Sequence, residues 1–308
     1  MEFKHIPVLF EQTIDILDIK PDGIYIDGTA GGAGHSTAIA KKLKGGKLFS
    51  LDRDPDAVAV ATKRLEGYPA KVVQCNYNEM KRVIEEHNIK GVDGILLDLG
   101  VSSFQLDNAE RGFSYHSDAA LDMRMSKDGL SAEELVNTAS YEELTRILRE
   151  YGEEKFASRI ANAIIRERQN EPIKTTLKLA DVIANAVPAA ARRGGHPARK
   201  SFQAIRIAVN DEIEGLKTAL NTAFECLNPN GILAVITFHS LEDRIVKQYF
   251  NSLAVGCTCP PELPICVCGN KPKADVLTRK PIEPTEQEVE QNQRSRSAKL
   301  RAVKKKGL

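Results

Sequence analysis

The sequence predicts a doubly wound α/β fold, in which helices cover both faces of a largely parallel sheet, with an inserted all-helical domain. Short apolar runs alternate with helical segments along the first hundred residues, and three of these runs end in an acid, at Asp27, Asp52 and Asp98. Acids at the carboxyl ends of parallel strands are typical of a sheet whose ligand lies across those ends. After Asp98 the alternation stops until residues 231–237, a gap several times longer than a βαβ crossover.

The elements of the sheet follow from apolar runs bounded by turn and cap signals. Asp54 followed by Pro55, for example, is a helix start signal. We predict strands at residues 24–26, 47–51, 70–74, 94–97, 231–237, 275–278 and 297–303. We predict helices at residues 10–17, 36–43, from Pro55, around 79–87, 208–227, from a cap at Ser240 to Phe250, and after a cap at Thr285. A turn is expected at residues 228–231, before the fifth strand.

The long gap is predicted to be helical. Ser131 with Glu134 and Ser140 with Glu143 have the spacing of capping boxes. Apolar residues at helical spacing follow, at Leu144, Ile147, Leu148, Phe156, Ile160 and Ile164. We therefore predict a discontinuous sheet domain at residues 1–105 and 208–308 and an inserted helical domain at 106–207.

Composition limits the class of protein. The 308 residues carry a net charge of +1, so a nucleic-acid signal must be local. The chain has no run of eighteen apolar residues and no apolar leader, which predicts a cytoplasmic protein without a membrane span. Four of the six cysteines crowd into residues 257–268, unlike the spread of a secreted disulfide framework.

A glycine-rich stretch after the first strand is the first candidate site. Residues 25–36 read YIDGTAGGAGHS, so backbone N–H groups at the start of the next helix can approach a ligand closely. The stretch contains neither G-x-G-x-x-G nor a phosphate-loop Gly-Lys-Ser/Thr. Asp27 would suit a positively charged ligand group, such as an ammonium or a sulfonium. The alternative interpretation is a tight glycine turn that binds nothing.

Asp52 ends the second predicted strand, where an acid can accept hydrogen bonds from both ribose hydroxyls of an adenosine. With the glycine stretch, this leaves NAD or S-adenosylmethionine as the cofactor, and the missing dinucleotide fingerprint disfavours NAD.

The segment DLGVSS at residues 98–103 follows the most apolar strand, where an open α/β sheet places its reactive centre. Asp98 and the carbonyl of Leu99 would accept hydrogen bonds from an amine, and Ser102 and Ser103 would contact a base edge. The alternative is a polar loop that caps a helix.

A basic segment at residues 188–206 contains no acid and is predicted to follow an RNA phosphate backbone, unless it is an ordinary solvated face. Its basic residues are Arg192, Arg193, Arg199, Lys200 and Arg206.

His239, after the fifth strand, is either a base or base-stacking contact or a structural histidine. Cys257, Cys259, Cys266 and Cys268 are predicted to bind zinc, to be reduced structural thiols, or to form a redox disulfide.

Taken together, these segments resemble the bacterial 16S ribosomal RNA (cytosine-N4)-methyltransferase family (RsmH/MraW), in the family's order from residue 5 to 300. The matching stretches are HIPVL (5–9), DGTAGGAGHS (27–36), DRD (52–54), DGILLDLGVSS (93–103), ERGFS (110–114), LDMRM (121–125), YGEEKF (151–156), FQAIRI (202–207), TFHSLEDR (237–244) and SRSAKL (295–300). Two positions depart from the pattern. Phe104 replaces the usual proline, and Tyr77 replaces what is often phenylalanine.

The resemblance implies a class I (Rossmann-like) methyltransferase sheet whose insert recognises RNA. It implies methyl transfer from S-adenosylmethionine to N4 of a cytidine in 16S ribosomal RNA near the decoding site, with Asp98 at the reaction centre and free RNA or the small subunit as partner. The implied cofactor contacts are Ala33, Gly34, His35, Asp52, Tyr77, Asp98 and Gln105. The alternatives are a methyltransferase for another RNA or DNA base, a nucleotide-binding ribosome assembly factor without turnover, and an NAD-linked oxidoreductase. The sequence leaves the oligomeric state open.

Overall fold

The computed structural model describes residues 7–260, 265 and 267–307. The chain forms two compact units. One comprises Met1–Gly100 with Gly215–Leu308, and the other comprises Val101–Glu214.

The helices of the two units are numbered in chain order. They are α1 Phe10–Ile16, α2 Gly34–Lys42, α3 Pro55–Arg64, α4 Met80–Glu86, α5 Ser103–Asp107, α6 Ala132–Thr138, α7 Tyr141–Glu150, α8 Ala157–Asn170, α9 Thr176–Ala186, α10 Arg199–Val209, α11 Glu212–Cys226, α12 Ser240–Ala254 and α13 Glu286–Gln291. The strands are β1 Ile24–Asp27, β2 Lys47–Asp52, β3 Ala70–Gln74, β4 Val92–Asp98, β5 Leu227–Thr237, β6 Ala274–Val276 and β7 Lys299–Lys305.

The first unit is built on one seven-stranded sheet in the order β3-β2-β1-β4-β5-β7-β6. Strands β1 to β5 pair in parallel, and β7 runs antiparallel between β5 and β6. The strand order reverses between β1 and β4, which makes the carboxyl ends of these two strands the topological switch point. This architecture confirms the predicted doubly wound, Rossmann-like α/β sheet.

Each central strand is buried on both faces, as a parallel sheet requires. In β4, Ile95 and Leu97 pack into one apolar layer while Leu96 packs into the other. In β5, Leu233 and Val235 follow the same alternation. Continuous apolar runs therefore identified these strands because no polar face interrupts them.

Two local expectations for the first unit were wrong. The predicted turn at 228–231 lies inside β5, at a shift in the register with β4 from Val92↔Leu227 to Gly94↔Ile232. The N-cap of α12 is His239 and not Ser240, because the His239 ring accepts a hydrogen bond from the Glu242 N–H.

The second unit is helical, with one apolar core shared by α6 to α10. Ser131 forms the predicted capping box with Glu134, and the Ser140 hydroxyl accepts from the Glu143 N–H. The Asn210 side chain accepts from the Met125 N–H at 2.8 Å and donates to the Met123 carbonyl at 2.7 Å. This buried amide fixes the irregular segment before α6 against the end of α10.

No helix in the described part of the chain has the length and apolar character needed to cross a membrane.

Candidate active site

The glycine-rich loop joins β1 to α2 through backbone conformations that favour glycine. Gly31 and Ala33 have positive φ angles of 47° and 57°, and α2 begins directly afterwards at Gly34. A Cβ atom on Gly34 would lie 2.3 Å from Cγ of Pro7, so only glycine fits there. The first turn of α2 presents backbone N–H groups that a helix cannot pair internally.

Asp27 is buried beneath the loop and accepts hydrogen bonds from it, a contact that the interpretation drawn from the sequence did not include. It is 1% exposed, and its carboxylate accepts hydrogen bonds from the Thr29 N–H at 3.1 Å and the Ser36 hydroxyl at 2.6 Å. The Ser36 hydroxyl also lies 2.7 Å from that of Ser50 on β2. Burial raises the pKa of Asp27, and the hydrogen bonds from Ser36 and Thr29 oppose this shift. Asp27 therefore holds the loop, a role that the local sequence pattern did not indicate.

Asp52 lies at the carboxyl end of β2 and contacts the same loop. Its Oδ2 accepts from the Gly31 N–H at 2.8 Å, and its Oδ1 accepts from the Asp54 N–H at 2.9 Å. Burial raises the pKa of Asp52 to about 6, although both backbone hydrogen bonds lower it. Since each carboxylate oxygen has two acceptor positions, the group can still accept two hydroxyl donors.

Asp98, at the carboxyl end of β4, has the most unusual environment in the site. Its N–H donates to the Thr29 hydroxyl at 2.7 Å, and its Oδ2 lies 3.6 Å from Nδ1 of His35. Its Oδ1 is buried and has no hydrogen-bond partner in residues 7–260, 265 and 267–307. Burial raises the pKa of Asp98 well above its usual value, and the nearby carboxylates of Asp27 and Glu242 add to the shift.

A buried acceptor without a partner costs free energy, about 1–3 kcal/mol for a neutral group and more for a charged one. Such an atom at the switch point of an α/β sheet is expected to meet a donor on a ligand. The buried Oδ1 of Asp98 is therefore the feature that most directly indicates a binding site at the carboxyl edge of the sheet.

Tyr77 follows β3 and opens a short 3-10 turn, Tyr77–Glu79. It is half-buried, and a Cβ atom on Gly28 would lie 3.0 Å from its Cβ and 2.6 Å from Cδ2 of Leu97. Gly28 thus allows Tyr77 and Leu97 to approach the backbone at the end of β1. Residues that follow β1, β2, β3 and β4 therefore meet at one edge of the sheet.

Gln105 belongs to the second unit, at the start of α5. It forms a capping box with Ser102, in which its Oε1 accepts from the Ser102 N–H at 3.0 Å, and it is 4% exposed. Phe104, at the position where the family usually has proline, is 40% exposed. The predicted cofactor contact of Gln105 remains a prediction.

The basic residues predicted to bind RNA lie in the second unit, around a 3-10 turn at Ala189–Gly194 and the start of α10. Arg192, Arg199 and Lys200 are exposed. The Arg192 Nε donates to the Val187 carbonyl at 3.0 Å, and the Lys200 Nζ donates to the Glu153 carbonyl at 3.1 Å. The side chain of Arg193 lies outside what the structure describes.

Arg206 differs from the other members of the basic segment. Its guanidinium donates two hydrogen bonds to the Glu212 carboxylate, at 2.7 and 2.8 Å, and the two side chains are 16% and 8% exposed. Arg206 is therefore part of an internal ion pair, which removes it from the predicted phosphate-binding set.

An aromatic cluster in the second unit was not predicted from the sequence. Tyr115 stacks on His196 at 4.6 Å between ring centroids and meets Phe202 edge-on at 5.5 Å. The pKa of His196 is lowered by burial and then by the neighbouring His116. The sequence signal was a histidine within the basic segment, in the stretch Gly-Gly-His-Pro, but its partners come from a distant loop.

His239 and the cysteine loop lie in the first unit. Nε2 of His239 is 3.1 Å from Oε1 of Glu242, and the side chain is 10% exposed.

The sulfur atoms of Cys257, Cys259 and Cys268 lie within 4.8 Å of one another. A hydrogen bond from the Val267 N–H is the main factor that lowers the pKa of Cys259. The fourth predicted ligand, Cys266, lies outside the described residues.

Comparison with known proteins identifies relatives that match nearly the whole chain. The model of the MraW methylase family matches residues 2–306. The chain is 53% identical to Ribosomal RNA small subunit methyltransferase H of Lachnospira eligens over 310 residues, which cover 99% of this chain and 98% of that protein. It is also 53% identical to the protein of the same name from Heliobacterium mobile over 311 residues, which cover 99% of this chain and 100% of that protein.

Among solved structures, a putative rRNA-methylase from Clostridium thermocellum aligns with a TM-score of 0.47 and 13% identity, covering 98% of this chain and 99% of that one. SMU.1697c, a putative methyltransferase from Streptococcus mutans in complex with SAH, aligns with a TM-score of 0.44 and 12% identity, with 98% and 99% coverage. Because both TM-scores are below 0.5, the evidence for the family relationship is the sequence similarity alone.

Proposed function

The chain belongs to the MraW methylase family, and we propose that it transfers a methyl group from S-adenosylmethionine to N4 of a cytidine in 16S ribosomal RNA. The observation that carries this proposal is the 53% identity, over nearly the full length of both proteins, to relatives named as small-subunit ribosomal RNA methyltransferases. The carboxyl edge of the sheet supplies the groups that such a reaction needs.

The residues at this edge fit S-adenosylmethionine. Asp52, fixed by the Gly31 and Asp54 N–H groups, has acceptor positions left for the ribose hydroxyls. The start of α2 at Gly34 and His35 offers backbone donors beside the loop, and the ring of Tyr77 offers an apolar surface for the adenine. When bound, the cofactor supplies a methyl group on a sulfonium, which is an activated leaving group.

Asp98 is proposed to act on the target amine. The lone pair of cytosine N4 is delocalised into the ring, so the amine is a poor nucleophile. A carboxylate oxygen that accepts a hydrogen bond from this amine would orient it and increase electron density on the nitrogen. Oδ1 is the atom available for this role, since Oδ2 lies beside His35. Burial raises the pKa of Asp98 well above its usual value, and the positive charge of a bound sulfonium would oppose this shift by favouring the carboxylate that accepts from the amine.

The second unit is proposed to bind the RNA. Arg192, Arg199 and Lys200 are exposed cations, and the backbone contacts of Arg192 and Lys200 hold their side chains in place. Such cations would position phosphates, while the target cytidine would be unpaired to reach the reaction centre. Arg193 and His239 remain predicted contacts, and the insert boundaries 106–207 remain part of this proposal.

The partner that follows is 16S ribosomal RNA, free or assembled in the small subunit. We place the protein in the cytoplasm, where ribosomal subunits are assembled.

The proposal is tested by incubating the protein with methyl-labelled S-adenosylmethionine and small subunits or free 16S RNA that lack the modification. Digestion to nucleosides and mass spectrometry should yield labelled N4-methylcytidine, and large-subunit RNA is the matched control. Label on another nucleoside would overturn the assignment of N4. Tight RNA binding without any transfer would identify an assembly factor instead.

A further inference from the structure

The loop between α12 and β6 brings three thiols together at the surface of the first unit. The sulfur atoms of Cys257, Cys259 and Cys268 all lie within 4.8 Å of one another, and those of Cys257 and Cys268 are 3.8 Å apart. A tetrahedral zinc ion with Zn–S bonds of about 2.3 Å requires sulfur atoms about 3.8 Å apart. The loop therefore has nearly the spacing of a zinc site.

Backbone N–H groups point at two of these sulfur atoms. The Val267 N–H donates to Sγ of Cys259 at 3.3 Å, while the Thr258 and Asn270 N–H groups both donate to Sγ of Cys268 at 3.4 Å. Donors of this kind stabilise a thiolate, which is the form that binds metal, and they orient the ligand in the way of outer-shell hydrogen bonds. The backbone thus supplies donors to two of the three sulfur atoms, as outer-shell hydrogen bonds do at metal sites.

Packing does not explain the cluster. Cys257 and Cys268 are exposed, so they are not thiols filling a core. The aliphatic side chains of the same loop, Ile265 and Val267, are 74% and 77% exposed and contribute little burial. A loop without a core of its own needs a cross-link to hold one conformation, and a metal ion supplies such a link.

The ends of the loop are fixed independently of any metal. The side chain of Asn270 donates to the carbonyls of Val255 and Gly256, at 3.3 and 2.6 Å, and the Lys273 N–H donates to the Leu253 carbonyl at 2.8 Å. These bonds close the base of the loop next to α12. They lower the entropic cost of bringing Cys257 and Cys268 together.

We propose that Cys257, Cys259 and Cys268 bind one zinc ion as thiolates, with a structural role in ordering this loop. Binding forms three Zn–S bonds and releases the thiol protons to solvent, so it requires no oxidant. A disulfide between Cys257 and Cys268 would require an oxidant and would not include Cys259. The site does not depend on the proposed methyl transfer.

The test is metal analysis of the full-length protein purified without chelator and under reducing conditions. We expect about one zinc per chain, its loss in the double variant Cys257→Ser/Cys268→Ser and in Cys259→Ser, and its retention in Cys226→Ser, a half-buried cysteine outside the loop. The absence of zinc from the wild-type protein, or its retention in the double variant, would overturn the proposal.

A second measurement avoids any variant that folds poorly. Cobalt added to metal-free wild-type protein should produce the sulfur-to-metal charge-transfer absorption of thiolate ligands, and zinc should abolish this band and protect the thiols from a thiol-specific reagent. Failure of cobalt to produce the band, with the thiols reacting equally with and without zinc, would exclude the site.

Discussion

The N–H of Asp98 donates a hydrogen bond of 2.7 Å to the hydroxyl of Thr29, two residues beyond Asp27. This bond ties the end of β4 to the loop after β1 at the point where the strand order of the sheet reverses. Because the backbone of Asp98 is fixed in this way, its buried Oδ1 has a defined position at the ligand-binding edge.

Asp52 is predicted to hold the cofactor ribose. Replacing it in Asp52→Ala should weaken S-adenosylmethionine binding by about 1.5–3 kcal/mol, the contribution expected of hydrogen bonds to a charged group. Isothermal titration calorimetry measures the change, and Glu66→Ala, an exposed acid beyond α3, is the control. Unchanged affinity in Asp52→Ala would remove this residue from the cofactor site.

The pKa of Asp52 predicts how cofactor affinity depends on pH. Hydroxyl donors favour the ionised carboxylate, and in the free protein burial raises the pKa of this group to about 6. Affinity should therefore be constant above pH 6 and fall as the pH drops below it, by at most about tenfold per pH unit for one proton. The dependence of cofactor affinity on pH should disappear in Asp52→Asn. If it persists in that variant, another group is responsible for the titration.

The α/β architecture was predictable because its strands are buried on both faces and end in acids, as at Leu51-Asp52 and Leu97-Asp98. The start of α3 was predictable because the Asp54 cap and Pro55 at the first helical position are both signals contained within one helical turn. The role of Asp27 was not, since an acid at a strand end has the same local pattern whether it faces a ligand or, as here, accepts from Ser36 nine residues away.

Other features depended on partners that local patterns do not identify. A basic residue next to other basic residues gives no sign that Arg206 pairs with Glu212. Tyr115 and His196 stack although they are far apart in sequence, and their contact becomes visible only in the folded unit. Asn228–Gly231 has the composition of a turn, yet it lies inside β5 at a shift in register, because residues on both sides of it pair with β4.

The exposed cations of the second unit are predicted to contact RNA phosphates. Replacing Arg192, Arg199 and Lys200 with Gln should weaken RNA binding and reduce the slope of log K against log salt by about 0.7 for each phosphate of single-stranded RNA that is no longer neutralised. The control replaces Lys41 and Lys42, exposed cations at the end of α2, with Gln. Equal slopes for the wild type and the three-site variant would make this segment an ordinary solvated face.

Arg206 is predicted to affect stability rather than RNA binding. Arg206→Gln leaves the Glu212 carboxylate, which is 8% exposed, without its bidentate partner. The free energy of unfolding should fall by about 1.5–3 kcal/mol, as expected when hydrogen bonds between charged groups are removed. Urea denaturation measures this change, and the salt slope of RNA binding should stay at the wild-type value. A stable variant with a reduced slope would return Arg206 to the RNA-binding set.

The central claim is that Asp98 acts on the target amine at the switch point of the sheet. The most direct test is the single-turnover rate of methyl transfer by Asp98→Asn at saturating S-adenosylmethionine. Asparagine keeps the volume, removes the charge and presents a donor to another donor. We predict a rate about 10²-fold below wild type, the order expected when a reacting group is misplaced by about an ångström, with little change in cofactor affinity. A normal rate at saturating cofactor, with only a weaker affinity for S-adenosylmethionine, would contradict the claim and leave Asp98 as a cofactor anchor.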